Sequence, residues 1–126
     1  MSWNLTNDRP IYLQIVERIQ MAIVSGVYQP GDKLPSVREL AAEASVNPNT
    51  MQKALSELET GGLVYTQRTS GRFITEDREL IASTRRRLAR EEFHTFVRQM
   101  KGLGYTPEDI AQLTRQLLEE GTKIDE

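Results

Sequence analysis

The chain contains no cysteine, so it has neither a disulfide framework nor a thiolate metal site. Its single histidine, His94, has no second histidine one helical turn away, and zinc finds no ligand set on which to build. No stretch approaches the roughly 18 consecutive apolar residues of a membrane span. The opening Met1–Asn7 lacks both the basic start and the apolar run of a secretion signal, so a soluble cytoplasmic protein with no membrane partner is expected. Also missing are a Ser-His-Asp arrangement, a phosphate-cradling glycine loop and a carboxylate pair in a supporting motif. No catalytic residue, cofactor or metal is expected, and the chain does not read as an enzyme. Finally, there is no excess of positive charge. The formal net charge is −2, and up to Thr75 acidic and basic side chains balance at seven each. Attraction to phosphate must come from where the charges sit rather than from their sum.

What is present is helical periodicity. The 126 residues, 38% apolar, suit one domain with an appendage. Tyr12, Ile15, Val16, Ile19, Ala22 and Ile23 stripe one face of a helix over Ile11–Ser25, with Pro10 at its start and Gly26 as its stop. Gln29-Pro30-Gly31-Asp32 reads as a turn. Ser36-Val37-Arg38-Glu39 is a capping box that opens a second, short helix burying Val37, Leu40, Ala41 and Ala44. Asn47 caps a third, with Pro48 at its first position and Met51, Ala54, Leu55 and Leu58 inward. Leu63–Gln67 and Phe73–Thr75 look like strands around a polar turn, Arg68-Thr69-Ser70-Gly71-Arg72.

Two short helices in tight succession make a helix-turn-helix when the second can enter the major groove. Here the second shows Asn49, Gln52, Lys53 and Ser56 on its polar face, and no acid precedes Glu57. Carboxamides can pair with adenine edges, and lysine can reach guanine or phosphate. The hairpin adds a wing, with Arg68 and Arg72 flanking Thr69, Ser70 and Gly71; hydroxyls, backbone N–H groups and arginine suit phosphate and the minor groove. Ser36 and Arg38, at a helix N-terminus, make a third phosphate anchor. Each of these residues also has a plainer reading, as part of a solvated face; Arg38 in particular could pair with Glu43.

Three segments carry a family resemblance: Pro10-Ile11-Tyr12-Leu13-Gln14-Ile15, Pro30-Gly31-Asp32-Lys33-Leu34-Pro35-Ser36-Val37-Arg38-Glu39-Leu40-Ala41 and Val46-Asn47-Pro48-Asn49-Thr50-Met51-Gln52-Lys53-Ala54. With the closing Gly62-Leu63-Val64 and Gly71-Arg72-Phe73-Ile74, they resemble the GntR family of transcription regulators from about Pro10 to Thr75. Asn47-Pro48-Asn49-Thr50 and the short tail look like its YtrA-like subfamily. The resemblance implies a repressor that binds a pseudo-palindromic double-stranded DNA operator as a homodimer. Arg38, Asn49, Thr50, Gln52 and Gly71 fall on contact positions, with Asn47 at the cap beside them. Pro48 and Gln52 stand where many relatives carry arginine.

From Glu76 onward the composition changes. Ile81, Leu88, Ala89, Phe93, Phe96, Val97 and Met100 stripe a long helix, and Thr106-Pro107-Glu108-Asp109 opens a last one with Ile110, Leu113, Leu117 and Leu118 inward. Arg85, Arg86, Arg87 and Arg90 read as a solvated face paired with Glu91 and Glu92, the alternative being contact with flanking phosphates from beside the linker. One long and one short helix cannot cover each other's apolar faces, so Leu88, Phe93, Phe96, Val97, Met100, Ile110, Leu113 and Leu117 are expected at a contact with a second copy.

The expected fold is mainly α with a small β-hairpin: a winged helix-turn-helix over 9–76, a two-helix dimerisation tail over 77–120 and a flexible 121–126. The tail is too short for a large effector domain; a small-molecule effector, the operator sequence, the regulated genes and the choice between repression and activation are not written in the chain. The competing reading is a winged helix used as a protein-interaction module. It would need apolar or acidic residues where Arg38, Asn49, Gln52, Lys53 and Arg72 stand.

Overall fold

A computed structural model describes the backbone of residues 1–125 and the side chains of residues 1–121. The elements in order are α1 (Ile11–Val24), α2 (Val37–Ala44), α3 (Pro48–Thr60), β1 (Val64–Gln67), β2 (Gly71–Ile74), α4 (Arg78–Gly102) and α5 (Pro107–Asp125). The chain divides into two compact units, Met1–Arg85 and Arg86–Glu126.

In the first unit α1 and α2 both pack on α3. The stripe of α1 supplies Ile15, Ile19, Ala22 and Ile23; α2 supplies Leu40 and Ala41, and α3 supplies Met51, Ala54, Leu55 and Leu58, all buried. Each large aliphatic side chain removed from water in this way contributes roughly 1.5–3 kcal/mol. The caps form as the sequence predicts. The Ser36 hydroxyl accepts the Glu39 N–H while the Glu39 carboxylate accepts the Ser36 N–H, both at 3.1 Å. The Asn47 side-chain oxygen accepts the Asn49 N–H at 2.7 Å. Between α2 and α3 the chain turns through Ser45, a non-glycine residue in the left-handed region (φ 57°, ψ 47°). Its N–H bonds the Ala42 carbonyl and the Val46 N–H bonds that of Ala41, which closes the turn.

β1 and β2 pair antiparallel in the register Val64↔Ile74, Tyr65↔Phe73, Thr66↔Arg72 and Gln67↔Gly71. The turn is therefore shorter than expected: Gly71 and Arg72 belong to the strand, and only Arg68, Thr69 and Ser70 form the tip. Tyr65 and Phe73 stack across the ladder with ring centroids 5.7 Å apart. The other edge of β2 is also paired. Ile74 donates to Asp32 (2.8 Å), Leu34 donates to Arg72 (2.9 Å) and Gly31 donates to Ile74 (3.0 Å), so residues 31–34 run beside the hairpin as a third ply.

This unit extends past the expected 9–76 at both ends. Trp3 is buried, and the buried Gln14 carboxamide accepts the Thr6 N–H (2.8 Å) while donating to the carbonyls of Thr6 (2.9 Å) and Arg9 (2.8 Å). The first turns of α4 bury Ile81 and Thr84, and Arg85 Nε donates to the Val24 carbonyl at the end of α1 (3.0 Å).

In the second unit α4 closes at Gly102 and the chain turns through Gly104 (φ 97°). A reciprocal pair of 3.1 Å bonds between Thr106 and Asp109 opens α5. Ile110 is the one buried side chain among the described residues of this unit. Leu117 and Leu118, expected to face inward, are 52% and 66% exposed instead. The flexibility expected of 121–126 falls almost wholly on side chains outside the described residues, and Glu126 lies outside them altogether.

Candidate nucleic-acid interface

Helices α2 and α3 with the hairpin after them form the winged helix-turn-helix. Along α3, Asn49, Gln52, Lys53 and Ser56 are exposed and Thr50 is half-buried, while Met51, Ala54, Leu55 and Leu58 anchor the opposite face. The 3.6-residue period thus sorts the helix into a packed and a free side. Pro48 and Asn47 start it without an acidic residue in its first turn, so its positive end is uncompensated.

The candidate residues are not equally free. Arg38 is exposed and forms no ion pair or hydrogen bond among the described residues; its suggested partner Glu43 faces the Met1 amine instead, at 3.6 Å. Ser36 is committed to its capping box, where its backbone N–H and then its hydroxyl hold the Glu39 carboxyl below the usual range. That carboxylate already occupies the N–H a phosphate would seek. Asn47 has given its side-chain oxygen to the cap and retains its NH2 group. Lys53 lies 3.9 Å from the centroid of the Tyr12 ring, a cation–π contact that leans it toward α1. The run near the unit boundary is partly paired, with Arg87 2.9 Å from Glu91.

Arg72 departs most from expectation. It does not flank the tip: it sits on β2 opposite Thr66, and its side chain leans back onto α3. Its Nε donates to Glu59 Oε1 at 2.7 Å and its Nη2 to Gln52 Oε1 at 3.1 Å. The Thr66 hydroxyl donates to the same carboxylate oxygen at 2.5 Å. Burial pulls the Glu59 carboxyl upward, but the Thr66 hydroxyl and the Arg72 guanidinium outweigh it, and the net displacement is downward. Arg68, Thr69 and Ser70 remain exposed at the tip.

Lys33 is a residue that sequence reasoning passed over. It bridges to Phe73 and is exposed. A Cβ on Gly71 (φ 112°) would come within 3.2 Å of its Cε, so the bare backbone of Gly71 leaves room for the lysine beside the wing. The signal was available only as a cation just before Leu34; its pairing with the hairpin is long-range.

His94 is exposed with its ring edge-on to Phe93, and no group of three or more His, Cys, Asp or Glu side chains among the described residues could hold a metal. No helix among the described residues is long and apolar enough to cross a membrane.

Comparison with known proteins bears on this geometry directly. The family model described as bacterial regulatory proteins, gntR family, matches residues 11–74. The chain is 44% identical over 115 residues to YhcF, an uncharacterized HTH-type transcriptional regulator of Bacillus subtilis, covering 91% of this chain and 95% of that one. It is 48% identical over 71 residues to the transcriptional repressor YtrA of the same organism, covering 56% and 55%. A GntR family transcriptional regulator from Listeria monocytogenes superposes with a TM-score of 0.82 at 40% identity, covering 89% of this chain and 98% of that one. The DNA-binding domain of AraR, solved in complex with operator ORX1, superposes with a TM-score of 0.52 at 30% identity, covering 60% and 92%. The chain thus belongs to the GntR family, in its YtrA-like branch, and is a DNA-binding transcription regulator.

Proposed function

We propose that the protein is a homodimeric repressor that inserts α3 into the major groove of each half of a pseudo-palindromic operator and lays the hairpin tip along the adjacent minor groove. The observation that carries this reading is the free side of α3: Asn49, Gln52 and Ser56 are exposed, and no acid occurs in the helix before Glu57. Base edges are read there by Asn49, Thr50 and Gln52. Arg38 and Lys33 meet phosphates, with the Ser36 hydroxyl hydrogen, the Asn47 NH2 group and Lys53 in supporting contact, and the tip residues Arg68, Thr69 and Ser70, with Gly71 next to them at the start of β2, follow the backbone. The operator-bound AraR domain and the repressor YtrA support the DNA partner and the direction of control.

Surface chemistry supports the second copy. Phe93 is 59% exposed, Phe96 and Leu117 are exposed, and Leu88, Val97, Met100 and Leu113 are half-exposed, which leaves apolar surface that a partner would cover. Ile110 contributes least, being buried already. Two heads then present their recognition helices about one helical turn of DNA apart, near ~34 Å. A small-molecule effector would act by changing that spacing.

The test is a mobility shift with the DNA upstream of the protein's own gene at two salt concentrations. Binding is expected to weaken steeply as salt rises, since phosphate contacts release counterions. A flat salt response, or no shift at any protein concentration, would favour a protein-interaction module instead.

A further inference from the structure

We infer that Arg72 is a positioning residue that sets the order in which Gln52 presents its acceptor and its donor to a base pair; this rests on the operator reading above. A glutamine carboxamide has an oxygen that accepts and an NH2 that donates, and turning the terminal amide by half a revolution exchanges them. A free glutamine on a recognition helix can therefore offer either order to the groove. Base recognition by a carboxamide depends on that order, because adenine presents an acceptor, N7, beside a donor, the N6 amine.

Gln52 is not free. A guanidinium donates only, so the atom facing Arg72 Nη2 at 3.1 Å has to be the Gln52 oxygen. On the other side Gln52 Nε2 donates to the Ser56 hydroxyl oxygen, one helical turn on, at 3.3 Å. The two contacts agree: oxygen toward the wing, nitrogen toward Ser56. The guanidinium is itself pinned, through its 2.7 Å bond to Glu59 on the last turn of α3, and that carboxylate also accepts the Thr66 hydroxyl of β1. Thr66 and Arg72 are cross-strand partners, so the hairpin register decides where the guanidinium stands. Gln52 keeps one amide hydrogen and one oxygen lone pair for DNA, offered in a single fixed order. The wing thus acts on specificity without its strand touching a base.

The experiment is selection of duplexes from a randomised library by the full-length protein, its Arg72→Met and Gln52→Ala variants and the double variant, with circular dichroism to verify folding. Wild type is expected to prefer one base at the Gln52 position of each half-site by about tenfold or more. Arg72→Met is expected to reduce that preference to about twofold and leave the other positions as they were. In the Gln52→Ala background the same substitution should change neither the preferred sequence nor the affinity. Glu59→Gln, which removes the pinning charge with little change of shape, should broaden the same single position, and serves if Arg72→Met does not fold. Unchanged preferences in Arg72→Met or Glu59→Gln would overturn the inference. So would an affinity loss on Arg72→Met that persists without Gln52, since Arg72 would then be contacting DNA itself. A wild-type protein that selects no sequence at all would instead strike down the operator reading and this inference with it.

Discussion

The two units of the chain solve the problem of burying apolar surface in opposite ways. Met1–Arg85 closes on itself: three helices, the three-ply wing, Trp3 and the first turns of α4 cover one another and leave the polar side of α3 outside. Arg86–Glu126 has Ile110 as its one buried side chain among the described residues, while two phenylalanines and three leucines stand exposed. A head that covers its own core can offer a rigid surface to a ligand, whereas the exposed apolar side chains of the tail are what the proposed second copy would cover.

That contrast can be broken most forcefully at Phe96. Phe96→Asp is expected to halve the mass seen in sedimentation and to lower operator affinity by about a hundredfold or more, since each head would lose the effective concentration its twin supplies. An unchanged mass would remove the tail from the association.

Gln14→Ala should act on the head alone. It strands the Thr6 N–H and the Thr6 and Arg9 carbonyls, so a loss of about 1–3 kcal/mol in denaturant unfolding is expected, with dimerisation intact. Arg38→Ala should touch neither stability nor association and cost about tenfold in operator affinity, measured by titration at fixed salt. Wild-type affinity in that variant would place the DNA elsewhere.

Ser45→Gly sharpens the comparison from the stable side. Relief of the left-handed strain is partly offset by the greater freedom of glycine in the unfolded chain, so a gain of about 0.5 kcal/mol in the head is expected from thermal melts. The Glu59 network contributes a pH dependence of known sign. Its folded-state carboxyl lies below the unfolded value of about 4.3, so its stabilisation is complete above that value and fades as pH falls through the lowered one. Glu59→Gln should flatten the acid limb of the stability curve slightly.

What the sequence made legible was local. Ser36 with Glu39, Asn47 with Pro48, and Thr106 with Asp109 announce helix starts because cap and partner lie within three residues of each other. The apolar stripes of α1 and α3 announce the core because their period is intrinsic to the helix. The rest depended on distant partners. Arg72 looked like a tip residue because nothing nearby reveals that Glu59, thirteen positions earlier, holds its guanidinium. Trp3 and Gln14 carry no periodic signal that would bind the first residues to the head. Lys33 reads as one more cation in a turn until the ladder bonds of residues 31–34 place it beside Gly71.

Those ladder bonds have a thermodynamic consequence. A lone two-stranded ribbon frays in water and must be ordered when it docks. Here the strip that leads into α2 is zipped to β2, so Arg38 and the hairpin tip move as parts of one plate. Little conformational entropy is then left to lose on association, and the amide hydrogens of Leu34 and Ile74 should exchange with deuterium as slowly in the free protein as in the complex.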